Sequence, residues 1–176
     1  AKKLYELYEN GNNDEVIKES TRLIQLYPNG ENIYYCYYMR GTVYLDQKNY
    51  YKGVPDMEKC VSLNPSYENG LDDLYITYRE IERYNEEIPL LKKLIEIKDE
   101  PHYHFELGLA YLNSNDFNNA ITSFTNYLNM DDDVISRNRL ALYNRGKAKN
   151  SLQKGRGCDD VNSALQKAYI ESKYYP

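Results

Sequence analysis

Tyr44, Tyr78 and Tyr111 are separated by 34 and 33 residues, and four further columns keep the same intervals: Tyr50, Tyr84, Phe117; Val54, Ile88, Ile121; Met57, Leu91, Phe124; and Val61, Ile95, Leu128. Five large-residue columns in register over three copies leave few folds open. A period in this range belongs to stacked supersecondary units, each too small to bury its apolar face alone. Within one copy the spacing is helical: Leu107, Gly108 and Tyr111 fall at i, i+1 and i+4, a polar turn runs from Asn113 to Asp116, and Ala120, Phe124, Tyr127 and Leu128 resume the period. This predicts a helical hairpin, with Gly108 and Ala120 at the closest approach and Tyr111, Phe117 and Phe124 as bulk around it.

Small residues at 108 and 120, Tyr111 between them, Phe124 after them and a closing proline at Pro65 form a pattern that resembles the tetratricopeptide repeat. The resemblance covers almost the whole chain. It divides it into an incomplete first copy at about 1–30, copies at 34–67, 68–101 and 101–134, and a divergent fifth at 139–173. It implies one all-α domain, a right-handed superhelical solenoid of antiparallel helix pairs, about five repeats in all. In that family the first helix of each pair (helix A) lines the concave surface and the second (helix B) faces outward.

Several positions depart from the pattern. Pro55 and Pro89 share one repeat position inside helix B, where a missing amide donor predicts a late start or a kink in the first turn. The two small positions of the third copy hold Tyr75 and Glu87, so either Glu87 turns outward or that crossing widens. Ser20 stands where an aromatic is usual, which predicts a weakly packed first copy. Asn13 or Asp14 is the expected cap of its second helix. The last helix, from about Asp160 to Lys173, sets Val161, Ala164, Leu165 and Ala168 against a polar side that suits a C-terminal cap.

Composition narrows the function. With 22 basic and 27 acidic residues the chain carries a net charge of −5, which disfavours nucleic acid, whose partners carry basic patches. No run reaches the roughly 18 apolar residues of a membrane span. Three cysteines, an odd number without metal-ligand spacing, read as buried thiols of a reducing compartment, so a cytoplasmic location is expected. The chain reads as one module of a longer polypeptide. Tyrosine is the unusual residue, 21 against 3 Phe and no Trp; most fall on core columns, with the hydroxyl left to find a partner at the rim.

Chemistry finds no foothold. His102 and His104 are two apart, so on a helix they point in nearly opposite directions and cannot share a metal. Asp131 to Asp133 lacks the alternating ligands of a calcium loop, and Gly155, Arg156 and Gly157 lack the spacing of a phosphate loop. No catalytic set and no cofactor or metal site is expected, and the chain does not read as an enzyme.

The surface expected to act is the one that helix A turns away from its packed side. It comprises Tyr35, Tyr38, Met39, Thr42 and Asp46; Asp72, Asp73, Ile76 and Glu80; His102, Phe105, Glu106 and Leu109; and Tyr143, Asn144 and Lys147. An aromatic and aliphatic strip flanked by acids suits a protein or peptide segment, neutral or basic, because acids at Asp73 and Glu106 would repel a carboxylate. Two other functions compete with this non-enzymatic scaffold. One is homo-oligomerisation by stacking through the repeat ends, and the other is glycan binding by stacked tyrosines.

Overall fold

The computed structural model describes residues 2–130, 135–152 and 157–174, and every regular element among them is an α-helix. Two compact units contain them, Ala1–Glu82 and Arg83–Pro176. The first holds α1 (Lys2–Glu9), α2 (Asn13–Leu26), α3 (Ile33–Asp46), α4 (Tyr50–Leu63) and α5 (Glu68–Glu80). The second holds α6 (Tyr84–Ile97), α7 (Pro101–Asn113), α8 (Phe117–Asn129), α9 (Ile135–Ser151) and α10 (Gly157–Tyr174). The run Asp131–Asp133 and the turn residues Gly155 and Arg156 lie outside the described residues.

In the pairs α3–α4 and α7–α8 the small residues do what their spacing predicts. A Cβ added at Gly108 would lie 2.6–2.9 Å from ring carbons of Phe124 on α8, and one at Gly41 would meet Asp56 and Met57 of α4 at 3.2 and 3.3 Å. The columns around these crossings are buried: Met57, Leu91 and Phe124 are fully enclosed. In the first unit Leu4, Val16, Ile33, Cys36, Met39 and Val43 join three successive elements, α1, α2 and α3, into one core. Ser20, also fully buried, has an Oγ without a hydrogen-bond partner.

Three expectations need correction, and one pair of alternatives is narrowed. Helices α4 and α6 begin at Tyr50 and Tyr84, so Pro55 and Pro89 do not delay them. Each proline sits at the sixth helical residue and orphans one carbonyl, that of Tyr51 or Asn85. Both of those residues are solvent-exposed, so water can take the lost bond. Of the two alternatives at Glu87, its full burial excludes the outward turn. Asn13 is the first residue of α2, and Asn12 precedes it without a side-chain cap; side-chain caps occur instead at Asn49 and Asp116. Cys36 and Cys60 are buried as expected, but Cys158 is exposed.

Four of the turns between helix A and helix B carry one residue in the left-handed region, at the same place: Gly11 (φ 73°), Lys48 (56°), Glu82 (59°) and Asn115 (62°). Glycine and asparagine adopt this conformation readily, whereas lysine and glutamate meet steric resistance.

One interaction recurs once in each unit. Arg40 on α3 donates from Nε and Nη2 to both carboxylate oxygens of Asp56 on α4, each at 2.7 Å, and from Nη1 to Thr21 Oγ1 on α2 at 2.9 Å. Arg145 on α9 repeats this with Asp160 on α10, at 2.9 Å for both bonds, and with Thr125 on α8 at 3.2 Å. Lys149 adds a third contact to Asp160 at 2.7 Å. A guanidinium fork matched to a carboxylate fixes both partners' orientation, so each clamp sets one helix pair and ties it to the pair before. Burial pushes the Asp160 carboxyl up, but the hydrogen bonds from Arg145 and Lys149 outweigh it and hold it below the usual range.

Replacing Arg40 with Ala leaves Asp56 buried without its fork, and chemical denaturation of this variant should read a loss of about 3 kcal/mol. Gly108→Ala forces Phe124 aside and should cost about 1–3 kcal/mol. Glu82→Gly relieves the left-handed turn and should gain about 0.5–1 kcal/mol in the same assay.

Candidate functional site

The first unit contains a hollow of about 460 Å³, built mainly from the last two turns of α3 and α5. Helical spacing brings Tyr38, Thr42 and Asp46 onto one stripe of α3, and Asp73, Ile76, Thr77 and Glu80 onto one side of α5. All of these line it, together with Tyr8 of α1, Leu45 and Lys48. Two threonines are spent on backbone: Thr42 Oγ1 donates to the Tyr38 carbonyl at 3.0 Å and Thr77 Oγ1 to the Asp73 carbonyl at 2.7 Å.

Phenols and carboxylates alternate around the hollow. The Tyr8 hydroxyl donates to Asp46 Oδ2 at 2.7 Å, and this bond, more than burial, pushes the phenol up to about 12. Burial raises the Tyr38 phenol, and the charge of Asp73, which accepts its hydrogen bond, raises it further. Asp73 is itself pushed up, first by burial and then by the charges of Asp72 and Asp46, with only the Tyr38 hydrogen bond opposing them. Glu80 moves the other way, held down by the Tyr50 hydroxyl at 2.9 Å and then by Lys48 at 3.3 Å. Three carboxylates thus line the hollow against one lysine. Beside it Tyr67, just before α5, gathers three rings of α3: Tyr34 and Tyr38 at 5.1 Å and Tyr35 at 6.5 Å between centroids.

The residues expected from sequence fall in several places. Tyr38, Thr42, Asp73 and Ile76 share the hollow; Tyr35 borders it through the ring cluster, and Asp72 is half-buried on α5. Met39 is a correction: it is buried in the core with Leu4 and Val16. Phe105 is another, buried with its ring 5.9 Å from Phe124 and 5.4 Å from Tyr127. The reason is common to both. Helix α3 packs against α1, α2, α4 and α5, and α7 against α6, α8 and α9, so a helix A keeps only a narrow open stripe.

In the second unit His102 is half-buried, with Nδ1 3.2 Å from Glu100, and Glu106 and Leu109 are half-buried on α7. Tyr143 and Lys147 are exposed on α9, where they line a hollow of about 420 Å³ with Asn150, Ser151 and Val161; Asn144 is half-buried. Among the described residues no group of three or more His, Cys, Asp or Glu side chains is placed to hold a metal, and no helix is long and apolar enough to cross a membrane.

Sequence reasoning missed Tyr8, Leu45, Lys48 and Thr77. A signal for two of them exists: Leu45 follows the Tyr44 column, and Tyr8 stands 37 residues before it, the same interval that separates the starts of α2 and α4. Extending the inner stripe to the last turn of helix A would have found both.

Within each unit, helix pairs that cross at small residues and stack on the neighbouring helices define an all-α helical-repeat fold. The tetratricopeptide-repeat profile matches residues 34–67 and 101–134, so these two stretches are tetratricopeptide repeats, a unit found generally in non-enzymatic scaffolds for protein–protein interaction. No curated protein matches the chain in sequence. Solved structures share its fold. A MamA protein matches with a TM-score of 0.75 at 18% identity, covering 98% of this chain and 92% of its own. A MamA fragment from Desulfovibrio magneticus gives 0.72 at 14%, covering 98% and 93%. YrrB, a TPR protein with an unusual peptide-binding site, gives 0.76 at 16%, covering 98% and 84%.

Because the folded-state acid of Asp73 lies above its unfolded value of about 4, its contribution to stability is full below that value and is lost as pH rises through the folded one. Asp73→Asn, which can still accept from Tyr38, should therefore melt higher than the wild type at pH 7, with the difference closing towards pH 3.5.

Proposed function

We propose that the first unit captures an extended segment of a partner protein, and that a basic side chain of that segment enters the hollow between Tyr38 and the carboxylates of Asp46 and Asp73. The observation that carries this reading is Asp73. Its carboxylate is pressed towards the protonated form by burial and by two neighbouring acids, and a guanidinium or ammonium arriving there would stabilise the charged form. Ile76 and the ring of Tyr38 give the apolar contact that holds the segment, and the surplus of carboxylates steers its approach. The tyrosine faces suit a cation as well, since cations already lie over tyrosine rings elsewhere in this unit, as Arg79 does over Tyr75 at 5.3 Å. The peptide-binding site ascribed to YrrB, a protein of the same fold, agrees with a role of this kind.

The test is fluorescence anisotropy with labelled extended peptides that differ only at a central Arg, Lys, Ala or Glu. The Arg and Lys peptides should bind the full chain at least tenfold more tightly than the Glu peptide at low salt, with the margin shrinking as salt rises. Asp73→Asn should cost the basic peptides about tenfold, or ~1.4 kcal/mol. Equal affinities across the four peptides, or an unchanged affinity in Asp73→Asn, would remove the hollow from consideration.

A further inference from the structure

The hollow of the first unit holds its polar groups in two separate sets. In one, phenols serve carboxylates: Tyr8 donates to Asp46 and Tyr38 to Asp73, and the charge of Asp46 acts on Asp73. In the other, Glu80 Oε2 accepts from the Tyr50 hydroxyl at 2.9 Å and from Lys48 Nζ at 3.3 Å. Seven residues, or about 10 Å of helix, separate Asp73 from Glu80 along α5, and the exposed side chain of Ile76 stands between them.

Lys48 reaches Glu80 from an unfavourable backbone. Its φ of 56° lies in the left-handed region, which Gly11 and Asn115 adopt with less resistance in the sister turns. Strain of this kind clusters at binding surfaces, where the side chain it presents is put to use. Here that side chain lines the hollow. Tyr50 and then Glu80 hold its ammonium above the usual lysine value, so it is charged whenever the carboxylates around it are. Asp46 and Asp73 thus have neutral partners, while Glu80 has a cation of its own.

We infer that Lys48 sets the charge specificity of the hollow: it stands on Glu80 where a second ligand cation would lie, so that a partner segment delivers one basic side chain, to Asp46 and Asp73. The inference rests on the capture of a basic segment proposed above, and it adds what that segment does not carry. An extended chain covers about 10 Å in three residues. A segment running along α5 with its basic residue at Asp73 therefore brings the third residue along to Glu80. A second Arg or Lys at that interval meets Lys48 already in place. Lys48 is tethered, with an effective concentration at Glu80 on the order of millimolar or above, so a peptide cation at micromolar concentration does not displace it. Displacement would also exchange one cation for another and leave Lys48 without its acid beside the incoming charge. The preferred partner carries an isolated basic residue, followed towards Glu80 by apolar or uncharged residues that rest on Ile76.

The probes are the Arg-centred extended peptide and two derivatives with a second Arg, three residues before or three after the first, read by fluorescence anisotropy on the full chain at low salt. The wild type should bind all three within about threefold, since one more exposed charge is worth little. Lys48→Met keeps the side-chain length and the β-carbon in the turn, and circular dichroism checks that it stays helical. It should strengthen one of the two-Arg peptides about tenfold more than the single-Arg peptide. Adding Glu80→Gln to Lys48→Met should erase that gain. The assignment is overturned if Lys48→Met strengthens all three peptides alike, if it leaves all three unchanged, or if the wild type already prefers a two-Arg peptide tenfold. When the wild type still binds the Arg-centred peptide more tightly than the Glu-centred one, those outcomes remove the role of Lys48 alone. When it does not, the capture of a basic segment falls, and this assignment falls with it.

Discussion

A helix pair of this length has two apolar sides and can bury only one of them against its own partner helix. The other is buried only when a neighbouring pair arrives, and nearly every close contact in the chain follows from that need. Cys36, Met39 and Val43 of α3 are enclosed because α1 and α2 lie behind them, and Cys60 is enclosed because Gly70 lets α5 come close. Within each unit the core is therefore a succession of shared surfaces with no single centre. Such surfaces slide easily when they are only apolar. The Thr–Arg–Asp clamps are directional and planar, and they give two of these junctions a fixed register that packing alone would leave loose.

Tyrosine takes the place that phenylalanine or tryptophan would fill in a simpler core. Its ring supplies the volume the columns require, and its hydroxyl reaches a carboxylate at the rim of the packing: Tyr8 to Asp46, Tyr50 to Glu80 and Tyr78 to Glu58 at 2.7, 2.9 and 2.6 Å. Each such bond satisfies a polar atom that burial would otherwise penalise. At Tyr38 the partner is an acid whose own ionisation is disfavoured by its surroundings. That arrangement is a poor one for stability, and unfavourable local chemistry of this sort is where binding sites and folding requirements part company.

The fold was legible because it rests on spacing. Columns such as Tyr44, Tyr78 and Tyr111 fix a helical period and a repeat period together, which restricts the fold to stacked helix pairs. Close crossings were legible at Gly108 and Gly41, where side-chain size alone decides what fits. The site was legible only in part, because exposure depends on how many neighbours a helix has. Met39 and Phe105 lie on the expected side by angle, yet three or four flanking helices close over them. The clamps were not legible at all: Arg40 and Asp56 are 16 residues apart, nothing in a one-residue-wide column announces a pair, and the copies between them carry Leu74 and Leu107 at the arginine position. Proline misled for a similar reason. Its cost depends on whether the orphaned carbonyl can reach water, which is a property of the fold.

The left-handed residue shared by these four A-to-B turns has a further meaning for the length of the repeat. From that residue to the first residue of the next helix the distance is always two, from Gly11, Lys48, Glu82 and Asn115 to Asn13, Tyr50, Tyr84 and Phe117. The connections from helix B to the next helix A are uneven instead, spanning residues 27–32, 64–67 and 98–100. One residue added within the turn would rotate the following helix by about 100° and carry its packed stripe towards solvent. One added between pairs only lengthens a loop, at small entropic cost. Most of the drift in the period from 37 to 33 therefore falls at these joints, the rest coming from α5 being one residue shorter than α3, and the joints are the places where a chain of this design can accept inserted sequence.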